Sequence, residues 1–194
     1  MTAVAPNLPG EYVRRRLTVE EYTMMAEIGI FAPDEHVDLV EGCLVSYAPP
    51  HGPAHAGAVW GFTETLHARL RGRAALWAQL PVIMSETTEL EPDLAVLVPR
   101  AEGYRRSLPR IEDVYGVIEV ADSSLFRDRN HKLRLYAASG IPEYWIVDVR
   151  RDRIETYRGP VGDEYGSYRL ARRGDEVSFA ALSDIVLSVD ELLG

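Results

Sequence analysis

Gly116-Val117-Ile118-Glu119-Val120, then Arg127 to Ala138, then Glu143-Tyr144-Trp145-Ile146-Val147-Asp148-Val149: these segments decide the fold. The first and last are short apolar runs rich in β-branched and aromatic residues, and they read as buried strands. Arg127 to Ala138 reads as a helix, stopped by Gly140 and Pro142. A helix crossing between two buried strands predicts a mixed α/β fold. One residue stands out in it. Side chains alternate faces along a strand, so Glu119 shares its face with Val117 and Ala121, a carboxylate among apolar neighbours.

Working outward, strands are expected at Ala75 to Leu80, Val82 to Ser85 and Asp93 to Val98, with a loop from Tyr104 to Glu112. Val59, Phe62, Leu66 and Leu70 repeat at helical spacing and predict a helix from His55 to Leu70. Gly42 sits between two strand-like runs, His36 to Glu41 and Cys43 to Tyr47, as in a tight hairpin. Thr18-Val19-Glu20-Glu21 has capping-box form and opens a helix over Leu17 to Ile28, ended by Gly29. Ile154 to Tyr157, Tyr168 to Ala171 and Glu176 to Phe179 read as short outer strands, and Ser188 to Leu193 as a closing helix. Residues 1–16, with Pro6, Pro9, Gly10 and three consecutive arginines, read as a flexible arm before a single domain over 17–194. The expected architecture is a mixed central sheet flanked by helices, with an additional N-terminal hairpin and C-terminal strands.

The chain has 194 residues and a net charge of −9, which opposes nonspecific nucleic-acid binding. Arginine clusters at Arg14-Arg15-Arg16, Arg69/Arg71/Arg73, Arg105-Arg106 and Arg150-Arg151-Arg153 read mainly as solvated faces. No apolar run is long enough for a membrane helix, and Met1 to Pro6 lacks the pattern of a secretory signal. Cys43 is the sole cysteine; it reads as a buried, inert thiol in a cytoplasmic protein.

The chemistry begins with Lys132, the only lysine among 21 basic residues. Arginine serves surface charge as well, so a retained lysine points to a role for a compact ammonium. Asp93, after Glu91-Pro92, opens a second apolar strand, so two carboxylates border buried strands. At about 4 Å such a pair repels by roughly 4 kcal/mol at an effective dielectric near 20. A shared proton, an arginine or a hard divalent cation with oxygen ligands would relieve this. Asp128 and Lys132 are four apart and would share a helix face, either as a simple ion pair or with Asp128 fixing the lysine stem.

His51 and His55 bracket the start of the second helix; loop packing or phosphate contact fits them better than zinc. His131 is assigned no role. Ser123-Ser124 reads as a helix cap, and Tyr144-Trp145 as core rather than a base-stacking platform.

Pro92-Asp93, Glu119-Val120-Ala121 and Lys132 together resemble the PD-(D/E)XK nuclease superfamily. Its usual pattern has a lysine two residues after the second acid, where this chain has Ala121. Ala121 leaves room on the face of Glu119 that Lys132, migrated to the following helix, would fill. Val40-Glu41-Gly42, Glu91 to Val96, Ile118 to Leu125, Arg127-Asp128, Tyr136-Ala137 and Gly140 to Asp148 more closely resemble the Uma-two family of bacterial restriction-type endonucleases, over about residues 17 to 158.

The resemblance implies a restriction-endonuclease-like fold and Mg2+- or Mn2+-dependent hydrolysis of DNA phosphodiester bonds. It implies that Asp93, Glu119 and the Val120 carbonyl hold the metal. Lys132 would orient the attacking water or neutralise transition-state charge. Glu41 stands at the family's early acidic position as a possible further ligand. Cutting two strands favours a homodimer, with Leu44, Val45 and Tyr47 as interface candidates. Two competing readings are a catalytically silent nuclease-fold module that binds nucleic acid or a protein, and a two-carboxylate glycosidase, which gains nothing from Lys132.

Overall fold

The computed structural model describes residues 13–32, 35–46 and 52–194. Helix α1 (Val19–Glu27) starts at the expected capping box: the Thr18 hydroxyl accepts from the Glu21 N–H, and the Glu21 carboxylate accepts from the Thr18 N–H. Strands β1 (Val37–Val40) and β2 (Cys43–Ser46) pair antiparallel about Glu41 and Gly42. Both turn residues have positive φ, the conformation a two-residue hairpin loop demands. Helix α2 (Pro53–Arg69) buries His55, Val59, Phe62 and Leu66 along one stripe.

Strands β3 (Ala75–Ala78), β4 (Val82–Ser85), β5 (Thr88–Leu90) and β6 (Leu94–Leu97) lead to β7 (Val114–Ala121). The crossing helix has three parts: α3 (Leu125–Arg127), a π-helical turn (Asp128–Lys132) and α4 (Leu133–Ala138). Then come β8 (Glu143–Asp148), β9 (Arg153–Val161), β10 (Glu164–Arg172), β11 (Glu176–Val177), β12 (Leu187–Ser188) and α5 (Val189–Leu193).

The central sheet has strand order β10-β9-β8-β7-β6-β3. Its one parallel pairing is β7 with β8, the two strands joined by the crossing helix. Alternation divides the side chains between two cores. Ile118, Val120, Trp145 and Val147 pack with α2 and α5. Val117, Ala121, Tyr144 and Ile146 pack on the other face with Tyr136 of α4 and with Val82, Met84 and Leu90 of a second sheet, ordered β2-β1-β5-β4. Glu119 therefore points toward α4, into an otherwise apolar layer.

Several expectations need correction. Strands β9 and β10 are nine residues each, not short; most of β10 is exposed, so the two-residue hydrophobic alternation is weak there. Strand β5 was not expected, because Thr88 and Glu89 are polar although buried. The third outer strand is confined to Glu176–Val177. Strand β3 stops at Ala78, and Gln79 turns the chain with φ of 49°. Cys43 is exposed rather than buried, because β2 is an edge strand with every residue open to solvent. The arm read over 1–16 falls mostly outside the described residues, as do Tyr47 and His51.

Candidate active site

Antiparallel pairing of β6 with β7 brings the start of one strand to the end of the other, with Leu94 opposite Ile118. Asp93 thereby meets the β7 end, and its Oδ2 accepts from the Val120 N–H at 2.8 Å. His55 of α2 completes this corner. Its Nδ1 is 2.9 Å from the Val120 carbonyl, which can only accept, so Nδ1 carries a proton. Its Nε2 lies 3.3 Å from Asp93 Oδ1 and donates to it when the ring is protonated. Hydrogen bonding to Asp93 raises the His55 pKa. Burial works to raise Asp93, yet His55 and the Val120 N–H outweigh it and hold the carboxyl below its ordinary value.

Glu119 is almost wholly buried, and its Oε1 accepts from Lys132 Nζ at 2.6 Å and Tyr136 Oη at 2.7 Å. Burial pushes the Glu119 carboxyl far up, and Lys132 counters only part of this. Burial disfavours the Lys132 ammonium, but Glu119, Asp128 and Asp93 together hold its pKa above the ordinary value. Other buried acids take arginine instead: Asp113 with Arg100, Glu143 with Arg158, Asp148 with Arg153, and Glu155 with Arg129. Glu119 alone has the lysine.

A cleft of about 640 Å³ opens over these groups, lined by Asp93, Glu119, Val120 and Lys132 together with Glu91, His36, Arg127, Gln79 and Trp60. The structure thus brings together the two acids and the lysine singled out in the sequence. Glu41 is exposed at the hairpin turn, 3.7 Å from Arg16, and lines an adjoining cleft that shares Arg127 and Lys132 with the first and also holds Asp38 and His131.

Asp128 is buried and accepts from Ser124 Oγ at 2.6 Å, while Lys132 turns to Glu119. The expected Asp128–Lys132 pair does not form: the π-helical turn spanning both residues winds wider than an α-helix and shifts the four-residue spacing. The Ser124 hydroxyl likewise makes no cap bond. His55 contacts the strand end through the Val120 carbonyl and Asp93. It and Tyr136 are the participants that spacing alone did not reveal, although Tyr136 lies one helical step beyond Lys132.

Among the described residues, no group of three or more His, Cys, Asp and Glu side chains is arranged to hold a metal ion. The donors present are two carboxylates and a carbonyl. That set fits Mg2+, which is usually held by one or two carboxylates, several waters and substrate phosphate oxygens, and not a closed all-protein cage.

Paired acids at adjoining strand ends with a lysine from the crossing helix define a restriction-endonuclease-like α/β protein. A solved structure with this arrangement of elements is described as a putative nuclease belonging to DUF820 from Anabaena variabilis ATCC 29413. It is 15% identical with a TM-score of 0.66, covering 91% of this chain and 97% of that one. The profile of the Uma2 family, described as "Putative restriction endonuclease", matches residues 19–190, and the chain belongs to that family. No curated protein matches it. Among the described residues, no helix is long and apolar enough to cross a membrane.

Proposed function

We propose that this chain, acting as one catalytic unit over residues 17–194, is a metal-dependent endonuclease that hydrolyses DNA phosphodiester bonds. What carries the reading is the convergence of Asp93, Glu119 and the sole lysine in one cleft, with Lys132 Nζ 2.6 Å from Glu119. Asp93, Glu119 and the Val120 carbonyl would hold Mg2+ or Mn2+. When bound, the ion supplies Lewis acidity and a water of lowered pKa. Lys132 orients the attacking water or balances charge gathering on the phosphoryl oxygens. Tyr136 fixes the Glu119 carboxylate, and His55 fixes Asp93. A dimer formed through the exposed β2 edge, with Leu44 and Val45, would present two centres to two strands. The lone cysteine fits a reducing cytoplasm.

One observation favours the silent-module reading: Asp93 Oδ2 and Glu119 Oε1 already have protein donors, and Asp93 Oδ1 faces His55 Nε2, a donor in the imidazolium form. Titrating Mg2+ or Mn2+ into purified protein with supercoiled plasmid and branched DNA separates the two. Nicking that disappears in Asp93→Ala, Glu119→Ala and Lys132→Ala, with far-ultraviolet circular dichroism unchanged, is the expected result. Cation binding without cleavage of either substrate would establish the silent module.

A further inference from the structure

The three tryptophans divide sharply. Trp145 is fully buried and stacked on Phe179 at 4.1 Å between ring centroids. Trp77 is half-buried, and its indole N–H donates to the Pro81 carbonyl at 3.0 Å. Trp60 is 68% exposed. Its place explains what the exposure serves. The buried stripe of α2 is His55, Val59, Phe62 and Leu66, and the adjoining stripe of Ala56, Trp60 and Thr63 lines the cleft over Asp93, Glu119 and Lys132. The Thr63 hydroxyl is turned back to the Val59 carbonyl at 2.7 Å, so this wall is largely apolar. The cleft therefore has an ionic floor and an aromatic wall. A nucleotide has the same two parts, a charged phosphate and a flat apolar base.

Resting on the nuclease reading, we infer that Trp60 is a stacking site for an unpaired nucleobase next to the reacting phosphate, so the preferred substrate is single-stranded or locally unpaired nucleic acid. Within a duplex both faces of a base are covered by its neighbours, and only a displaced base can lie on an indole. The charge balance supports this. With a net charge of −9, general phosphate attraction is weak. Of the lysine and arginine that line the cleft, Lys132 is paired with Glu119 and Arg127 lies 3.6 Å from the buried Asp128 carboxylate. Stacking on an indole adds affinity that does not depend on charge.

The test is equilibrium binding with EDTA present, so that no strand is cut, using labelled oligothymidylate and a blunt duplex of equal length. Wild type is expected to prefer the single strand. Trp60→Ala is expected to weaken that binding by roughly 5- to 100-fold while leaving the duplex unchanged, and Trp60→Phe to restore most of it. The side chain is exposed, so little packing is lost, and circular dichroism checks the fold. Unchanged single-strand binding by Trp60→Ala, equal weakening of both probes, or no binding of either probe overturns the inference. If Trp60 governs single-strand binding but no substrate is cut with Mg2+, the stacking site stands and the nuclease reading falls. If plasmid is cut with no preference for single strands, the reverse holds.

Discussion

At the residue scale, the site depends on which cation meets which acid. Lys132 is a point charge on a slender stem, and arginine is a planar fork. Lys132→Arg preserves the charge but cannot place one donor between Glu119 and the cleft. Plasmid nicking is expected to fall by roughly a hundredfold or more, with the thermal midpoint little changed; wild-type nicking by this variant would contradict the assigned role. His55 presents a different case. Removing it leaves the Val120 carbonyl and Asp93 without their shared partner. His55→Ala should cost about 1–3 kcal/mol in urea unfolding and weaken Mn2+ binding by calorimetry. If both values match wild type, His55 does not hold the strand end.

The three charged groups were legible because strand alternation and one unique residue suffice to pick them out. His55 was not. Its partner at Val120 is a backbone carbonyl, and no side-chain pattern encodes that contact.

Elements were readable where hydrophobic period and breakers agree. The capped α1, the Gly42 hairpin, β4 and the β7–helix–β8 unit follow from such signals. Strand β5 escaped because its central residue is a buried glutamate. The π-helical turn escaped because the contacts its residues make are with distant strands: Arg129 pairs with Glu155 and Lys132 with Glu119. A local pattern cannot display either pair. The hairpin turn carries its own prediction. Gly42 has φ of 75°, and a Cβ added there would lie 2.4 Å from Arg16 Cβ. Gly42→Ala therefore adds backbone strain to a steric clash, and a loss of about 1–3 kcal/mol is expected in urea unfolding. Stability equal to wild type would show that the 13–18 segment does not pack against this turn in solution.

Across the whole molecule, the acidic balance is managed mainly by arginine, but not everywhere. Asp38 and Glu89 are both buried, and burial raises their pKa values to about 6 and about 7. Glu89 Oε2 has no hydrogen-bond partner among the described residues. The folded chain thus binds protons that the unfolded chain releases between the ordinary carboxylate range and about 7. Stability contributed by these groups is greatest at the acidic end of that window and declines as pH rises through it. Glu89→Gln should stabilise the protein at about pH 8 by on the order of 1–3 kcal/mol and flatten the decline. Chemical denaturation at several pH values checks this, and an unchanged slope would mean that Glu89 remains hydrated.

Finally, the edge position of β2 makes the single thiol chemically useful. Cys43 faces solvent and has no second cysteine to compete with it. A maleimide fluorophore would therefore attach at one defined spot of an otherwise native polypeptide. The same accessibility means that storage without reductant would crosslink molecules pairwise through that sulfur, creating a covalent species easily mistaken for a genuine assembly.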